Sequence, residues 1–231
     1  MGLYTPRHFA AREDAHARQL ITEHPFATLI TVRDGADPQV THLPLLLEEN
    51  FLWGHVARPN PHWQIFAQGR TLAIFHGPHQ YISPRWYEKP DLNVPTWNYA
   101  VVHVHGTPEL LDAAGAQRVV DRLTEHYERG QWRAATDKRD GLLPGIVAFR
   151  MPLARIEATF KMNQNRTPAD RKLVMQQLRA SASPDDQGVA KWIEACGYSD
   201  DSRASAGEPT RDANIPASGA PARGSRLHDE R

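Results

Sequence analysis

The sequence predicts a mainly β, α+β domain, built as a small antiparallel barrel with peripheral helices. Short runs of β-branched and apolar residues recur along the chain, and the links between them are too short to hold crossover helices. Apolar residues at helical spacing are confined to a few separate segments. Together these observations favour a barrel over a sheet covered by helices on both faces.

The first helix is expected from about Ala11 to Glu23, because its apolar residues share one face and a proline follows its end. Turn signals at Asp34-Gly35 and Glu49-Asn50 then separate three apolar segments. We therefore expect an antiparallel meander of the strands Phe26–Val32, Gln39–Leu47 and Phe51–Ala57.

A short helix should follow, with Asn60 as its N-cap, Pro61 at its first position and Gly69 at its C′ position. The segments "TLAIFHG" and "QYIS" are expected to be extended, and "WNYAVVHVHGTPELL" is the longest candidate strand. Alternation places two sets of side chains on opposite faces of that strand: Trp97, Tyr99, Val101, His103 and His105 on one, and Asn98, Ala100, Val102 and Val104 on the other.

The later part of the chain alternates again between helix and strand. A helix is predicted from Ala113 to about Arg129, and "GIVAFRMPLARIEATFKM" is predicted to form one or two strands. Two closing helices are expected at Pro168–Arg179 and Asp185–Ala195. We thus expect one domain over residues 1–197, followed by a disordered tail over 198–231, which lacks large apolar residues.

Composition narrows the function classes. The chain has 27 Lys and Arg residues against 27 Asp and Glu residues, so its net charge gives no help to a polyanionic partner such as DNA. The single cysteine, Cys196, excludes a disulfide framework and suits a reducing compartment. No signal peptide and no run of 18 apolar residues is visible, so we expect a cytoplasmic protein without a membrane segment.

The strand-to-helix corner in "GHVARPNPHW" is a candidate anion site. The N-terminus of a helix presents free N–H groups, and Arg58 adds a guanidinium that can grip a phosphate. The alternative is that Asn60 only caps the helix and Arg58 is only solvated. Ten of the 12 histidines and four of the six tryptophans precede Thr107, and flat side chains near an anion site suit a planar, phosphorylated ligand.

Other site chemistries have less support. His103 and His105 share a strand face, with His76 and His79 as further candidates, but no carboxylate or cysteine completes a metal set in these motifs, so we expect no metal. No G-x-S-x-G elbow, G-x-G-x-x-G loop or P-loop occurs. The motif "KMNQNR", Lys161 to Arg166, is either a second site for a phosphate or a flavin edge, or an ordinary connection between a strand and a helix.

Seven motifs, in order, resemble the PaiB-type FMN-binding negative transcriptional regulators: "LYTPRHF", "HPFATLIT", "THLPLLL", "GHVARPNPHW", "FHGPHQYISPRWY", "VPTWNYAVVHVHGTPELL" and "KMNQNR". The resemblance implies an FMN-binding split β-barrel of the pyridoxamine-phosphate-oxidase-like class, working as a homodimer with FMN near the subunit interface. Two departures are visible: Asn163 stands where the family has serine, and the loop "EKPDLN" is short.

With FMN as cofactor, we expect its phosphate at Arg58 and the helix start, assisted by Lys161 or Arg166. The isoalloxazine ring is expected against Tyr81, Trp97, Asn98 and the backbone of the "LPL" segment, Leu43–Leu45. The full set of expected cofactor-binding residues is Thr41, Leu43, Leu45, His55, Arg58, Asn60, His62, Tyr81, Trp97, Asn98, Lys161, Gln164 and Arg166.

Two functions of different classes remain open at this point, and a third possibility is an interaction module whose flavin site has decayed. The resemblance implies a regulator, a repressor in which the flavin biases a dimer; the best local patch for DNA is the helix in "NRTPADRKLVMQQLR", with Arg166, Arg171, Lys172 and Arg179. The alternative is a flavin-dependent oxidoreductase of the split-barrel class that acts on a small molecule. In that case His55, His79 or His103 would transfer protons.

Overall fold

The computed structural model describes residues 2–10, 14–132 and 141–197. Four α-helices and nine strands lie in these ranges: α1 Asp14–Glu23, β1 Phe26–Val32, β2 Gln39–Pro44, β3 Leu46–Glu48, β4 Phe51–Ala57, β5 Arg70–Ile82, β6 Thr96–Gly106, β7 Glu109–Leu110, α2 Ala113–Glu128, β8 Ile146–Pro152, β9 Arg155–Lys161, α3 Pro168–Ala180 and α4 Pro184–Gly197. The predicted tail, 198–231, lies outside the described residues, so the predicted domain boundary stays a prediction.

The strands form two antiparallel sheets, in the orders β2-β1-β5-β6-β9 and β3-β4-β8-β7. One hydrophobic core joins them, with Leu29, Phe75 and Val102 contributed by the five-stranded sheet and Leu52 and Phe149 by the four-stranded one. The mainly β, antiparallel α+β architecture that the sequence predicts is confirmed.

Most predicted elements occur where the pattern places them, with four differences. The segment predicted as one strand from Gln39 breaks at Leu45, whose backbone N–H donates to the Pro25 carbonyl at 2.8 Å. "TLAIFHG" and "QYIS" belong to one strand, β5, because an irregularity between His76 and His79 absorbs Gly77 and Pro78 without ending it. β5, with 13 residues, is therefore longer than β6, with 11, which the sequence suggests as the longest.

The remaining differences concern the helix after Asn60 and its end. Pro61–Gln68 is a 3₁₀-helix rather than an α-helix. Gly69 directly follows the end of this helix, as predicted, but its φ of −128° is extended backbone rather than the left-handed conformation usual for glycine at a helix end. A Cβ there would lie 2.9 Å from the Val32 carbonyl oxygen, and this close approach explains the glycine instead.

Helix α2 packs on the face of the four-stranded sheet that points away from the main core. Ala116, Val119 and Leu123 form a second apolar cluster with Leu46 and Ala148. The helix begins with the Asp112 carboxylate accepting from Gly115 N at 2.8 Å and ends at Arg129, which is left-handed with φ 49°.

The five-stranded sheet keeps an outer face that points away from the core; we call it the outer sheet face. Along β6, Trp97, Tyr99, His103 and His105 lie on it, while Asn98, Ala100, Val102 and Val104 are buried on the other side, as the alternation predicts. Residues 2–10 cross only its β9 end, where Ala10 bridges to Thr159 and the Thr5 hydroxyl lies 2.5 Å from that of Thr159.

Candidate functional site

The strand-to-helix corner, made by Arg58, Asn60 and His62, is built as the sequence predicts. Asn60 is extended, with φ −72° and ψ 117°, and its Oδ1 accepts from the backbone N–H of His62 at 3.0 Å. Pro61 occupies the first helical position, where no N–H is needed. The predicted N-cap is therefore confirmed, and its side chain already satisfies one free N–H of the helix start.

The polar side chains of this corner bond to one another. His62 is 1% exposed, and its Nδ1 and Nε2 each lie 2.8 Å from a threonine hydroxyl, those of Thr41 and Thr31. Asn60 Nδ2 donates to the Thr41 hydroxyl at 3.1 Å. Burial lowers the pKa of His62, so the neutral imidazole is favoured. Thr41, Asn60 and His62 are thus hydrogen-bonded within the protein, together with Thr31. Their predicted role in binding the cofactor stays a prediction.

Arg58 has a defined structural role. Its Nε donates to the Pro144 carbonyl and its second guanidinium nitrogen to the Ile146 carbonyl at 2.8 Å. Its backbone N–H donates to the Gly145 carbonyl at 2.8 Å. Arg58 therefore fastens the end of β4 to the start of β8, which competes with the predicted grip on phosphate.

Of three further predicted residues, two lie inside the protein and one is half-buried. Leu43 and Leu45 are 4% and 0% exposed and belong to the main core. His55 lies beside Ala148 on the face of β4 that α2 covers, and its buried Nδ1 has no hydrogen-bond partner among the described residues. Burial lowers the pKa of His55. Neither the leucine side chains nor His55 lie on the outer sheet face.

Trp97 and Tyr81 do lie on the outer sheet face, on neighbouring strands. They are 51% and 41% exposed, and their ring centroids are 6.3 Å apart. The His79 ring lies 5.9 Å from that of Trp97. This group offers broad aromatic surface to a planar ligand.

Asn98 points the other way. It is 0% exposed, and neither its amide oxygen nor its amide nitrogen has a partner in the described residues. Because neighbouring residues of a strand face opposite sides, Asn98 and Trp97 cannot both contact one ring from the same side. The structure therefore separates two residues that the sequence assigns to the same ring.

The motif "KMNQNR" ends β9 and forms a tight turn. Gln164 closes it: its Oε1 accepts from Met162 N at 2.7 Å and its Nε2 donates to the Phe160 carbonyl. Asn163, where the family has serine, has φ 62° and is 2% exposed. Asparagine tolerates this left-handed conformation better than most residues, which explains its presence there.

Lys161 and Arg166, which we call the Lys161–Arg166 cluster, flank this turn. Lys161 Nζ donates to the Thr96 hydroxyl at 2.7 Å, and Arg166 donates to Asn93 Oδ1 at 2.7 Å. The Arg166 guanidinium also lies 4.8 Å from the ring centroid of Tyr87. Burial, followed by the charge of Arg166, lowers the pKa of Lys161.

These residues fit a phosphorylated planar cofactor. Lys161 pairs with Tyr99 across the strands and so shares the outer sheet face with Trp97. Aromatic surface and cationic donors therefore occur together at one end of this face. Asn98, whose amide has no partner among the described residues, lies on the same strand, β6, but faces the core. Sequence reasoning missed Thr96 and Asn93, which hold the two cations, because no local motif reports contacts between distant segments.

The histidines of β6 form a separate group. His105 Nε2 lies 2.8 Å from Glu157 Oε2, and Arg155 lies 2.6 Å from the other oxygen of the same carboxylate. Burial opposes ionisation of Glu157, but the His105 hydrogen bond and the Arg155 charge lower its pKa overall. Within residues 2–10, 14–132 and 141–197, no group of three His, Cys, Asp or Glu side chains is arranged to hold a metal ion.

The predicted DNA-binding patch is divided among internal contacts. Arg166 is held by Asn93, and Arg179 pairs with Glu194 at 2.8 Å. Lys172 is exposed on α3 and lines a shallow apolar groove of about 440 Å³ together with Met175 and Arg179. None of the helices in the described part of the chain has the length and apolar character needed to cross a membrane.

Comparison with known proteins adds independent evidence. A family model described as "Putative FMN-binding domain" matches residues 3–155. The chain is 32% identical over 203 residues to the protease synthase and sporulation protein PAI 2 of Bacillus subtilis (strain 168), a match that covers 83% of this chain and 97% of that protein. The chain belongs to the PaiB-type FMN-binding family. FMN, expected from the motifs, is thereby confirmed as the cofactor of this PaiB-type protein.

Solved structures support the fold. The PaiB-type chain is similar to the FAD and heme binding protein from Mycobacterium smegmatis, at 17% identity and a TM-score of 0.54, over 66% of this chain and 73% of that one. It is also similar to the flavocytochrome Anf3 from Azotobacter vinelandii, at 14% identity and a TM-score of 0.54, over 68% and 72% of the two chains. Likeness at these identities shows the fold alone, and the predicted split β-barrel fold is confirmed.

Proposed function

We propose that this PaiB-type protein is an FMN-binding transcriptional regulator, a repressor, that works as a homodimer in the cytoplasm. The observation that carries the proposal is the match to PAI 2, which extends over 97% of that protein. The name of this relative refers to a protease synthase and to sporulation, and sporulation is a cellular programme rather than a single chemical reaction. A match over nearly the whole length supports a shared role better than a shared cofactor domain would.

The outer sheet face supports the homodimer. Val40, Tyr81 and Trp97 are 51%, 41% and 51% exposed on it, and Ile30 and Ile74 lie half-buried between them. Apolar residues grouped on one face of a sheet are typical of an interaction surface. A second copy is the proposed occupant, because two-fold dimers are the commonest soluble assemblies and the zero net charge opposes no self-association.

FMN in this arrangement would lie near the subunit interface, against the exposed rings of Trp97 and Tyr81. When bound, FMN supplies a ring that can accept or donate electrons. The protein's own contribution would be to hold the ring flat and, through the second copy, to exclude water from it. Occupancy of the site would then favour the dimer and so couple the flavin to repression.

Contact with DNA is proposed for the cations on α3. Lys172 and Arg179 are the cations of the predicted patch that line the α3 groove, and Arg179 already pairs with Glu194. Selection of duplexes from a random-sequence DNA pool, by FMN-loaded and by FMN-free protein, tests the proposal. We expect an enriched sequence whose affinity falls as salt rises and differs between the two forms of the protein.

Absence of enrichment, or equal enrichment by both forms, would contradict the regulatory role. The same FMN-loaded protein should then be mixed with reduced nicotinamide cofactor under exclusion of oxygen. Bleaching of the flavin absorption, followed by turnover with an added acceptor, would support the oxidoreductase alternative instead.

A further inference from the structure

The Lys161–Arg166 cluster consists of two half-buried cations that lie close enough to repel each other. The charge of Arg166 acts on Lys161 in addition to the effect of burial. Bringing like charges together out of water is unfavourable unless an opposite charge compensates them. Such a pair therefore favours the binding of an anionic group.

The partners that the cluster has are neutral. Lys161 Nζ bonds the Thr96 hydroxyl and Arg166 bonds the Asn93 amide oxygen, both at 2.7 Å, and Arg166 stacks on Tyr87. Among the described residues, neither cation forms an ion pair with a carboxylate. Asp170, near Tyr87, accepts instead from the backbone N–H of Glu88 at 2.9 Å.

Several other cations in the described part of the chain are paired with carboxylates, although these cations are exposed. The carboxylates of Glu48, Glu109, Glu157 and Glu194 each hold at least one arginine within 3.1 Å. Like Arg58, which donates to backbone carbonyls, Lys161 and Arg166 bond to neutral groups, and the missing carboxylate is a feature of this surface. It does not reflect a shortage of acidic residues, since Asp and Glu equal Lys and Arg in number.

The cluster is also held in place for binding. Asn93 lies three residues before Thr96, the first residue of β6, so the two hydrogen bonds hold both cationic groups to the same short part of the chain. Each cation keeps further N–H donors, because lysine has three and arginine five. Fixed donors lose little conformational entropy when a ligand binds.

We propose that Lys161 and Arg166 form a binding site for the phosphate or carboxylate group of a ligand whose planar or apolar part lies against Trp97. The phosphate of FMN and the anionic group of a separate small effector share this chemistry. The site stands whether or not the protein regulates transcription, since it rests on the contacts of the two cations.

Four probes distinguish the two sources: FMN, riboflavin, inorganic phosphate and succinate. Riboflavin lacks the phosphate and otherwise matches FMN. Binding of the two flavins is followed by quenching of flavin fluorescence, and binding of the two anions by the rise in unfolding temperature of the protein. The variants are Lys161→Met, Lys161→Arg as the charge-keeping control, and Lys191→Met as the matched control on the exposed side of α4.

If FMN supplies the anion, we expect Lys161→Met to lower the affinity for FMN at least roughly tenfold, because one hydrogen bond to a charged group is lost. The affinity for riboflavin should not change. If a separate effector supplies it, both flavins bind as in the parent and the stabilisation by phosphate or succinate disappears. In either case Lys161→Arg keeps most of the response and Lys191→Met keeps all of it. Arg166→Gln replaces Lys161→Met if the latter does not fold.

The proposal is overturned if Lys161→Met changes none of the four responses, or if FMN and riboflavin weaken equally while the anion responses stay. The proposal is likewise overturned if Arg58→Gln loses affinity for FMN but not for riboflavin, while Lys161→Met loses neither and its anion responses are unchanged. That result would place the phosphate at the strand-to-helix corner. A parent protein that takes up neither flavin would contradict the cofactor, and the phosphate and succinate responses would then decide the cluster.

Discussion

His62 shows how one buried side chain links the fold to pH. Burial lowers the pKa of His24, His55, His62 and His103, so each favours its neutral form in the folded protein. The unfolded chain therefore binds more protons than the folded one once the pH falls to the ordinary histidine value, about 6.5. The stability from these groups is complete above that value and is lost as the pH falls through and below it.

Replacing His62 by glutamine tests this at a single position. At about pH 7.5 we expect His62→Gln to lower the free energy of unfolding by about 1–3 kcal/mol, because the hydroxyls of Thr31 and Thr41 lose a buried partner. At about pH 5.5 the difference from the parent should shrink, since glutamine takes up no proton. Urea unfolding at both values measures it, with exposed His126→Gln as control; an equal difference at both would refute the role of His62 protonation.

Prediction at the residue scale succeeds where the contact is local. Asn60 and His62 are two positions apart, and the cap between them follows from residue type and the proline at Pro61. Lys161 and Thr96 are 65 positions apart, and their hydrogen bond depends on the pairing of β6 with β9. The residue types at the cluster could therefore be found from the sequence, but the partners that fix their geometry could not.

At the scale of elements, the alternation of apolar and polar residues predicted most strands, because one face of each strand is buried. It failed at Gly77 and Pro78, which look like a turn but lie inside β5. A Cβ on Gly77 would meet Leu20 at 2.7 Å and Ala100 at 3.1 Å, so this glycine allows α1 to approach the sheet. A glycine that serves packing between distant elements has the same sequence signature as one in a turn.

Gly106, at the end of β6, gives a test of such close approach. A Cβ there would collide with the backbone carbonyl oxygen of Pro152 and lie 2.8 Å from the Met151 side chain. Since a backbone atom cannot move aside cheaply, we expect Gly106→Ala to lower the free energy of unfolding by about 1–3 kcal/mol. Gly145→Ala is the control, because a Cβ there has no neighbour within 4 Å among the described atoms. Similar urea midpoints for both variants would show that the two sheets can separate at this point without loss.

At the scale of the whole molecule, the order β2-β1-β5-β6-β9 creates a broad sheet face that no single strand pattern announces. The sequence shows that Trp97 and His103 share a side, but not that Ile74 and Thr28 continue the same surface on the neighbouring strands. The antiparallel barrel was predictable from short links and alternation. The extent of the outer sheet face depends on strand order, which sequence patterns leave open.

Ile74 lies near the middle of the outer sheet face, between Thr28 of β1 and His103 of β6. If a second copy covers this face, an aspartate there would be buried without a partner in both subunits, which is strongly unfavourable. We therefore expect FMN-loaded Ile74→Asp to have half the mass of the parent in light scattering after gel filtration. Leu110→Asp, on β7 of the other sheet and 50% exposed, should keep the parent mass. If Ile74→Asp remains a dimer, the interface lies elsewhere on the protein. If the parent is a monomer, the homodimer itself is contradicted. In both cases the aromatic surface around Trp97 would remain open to solvent.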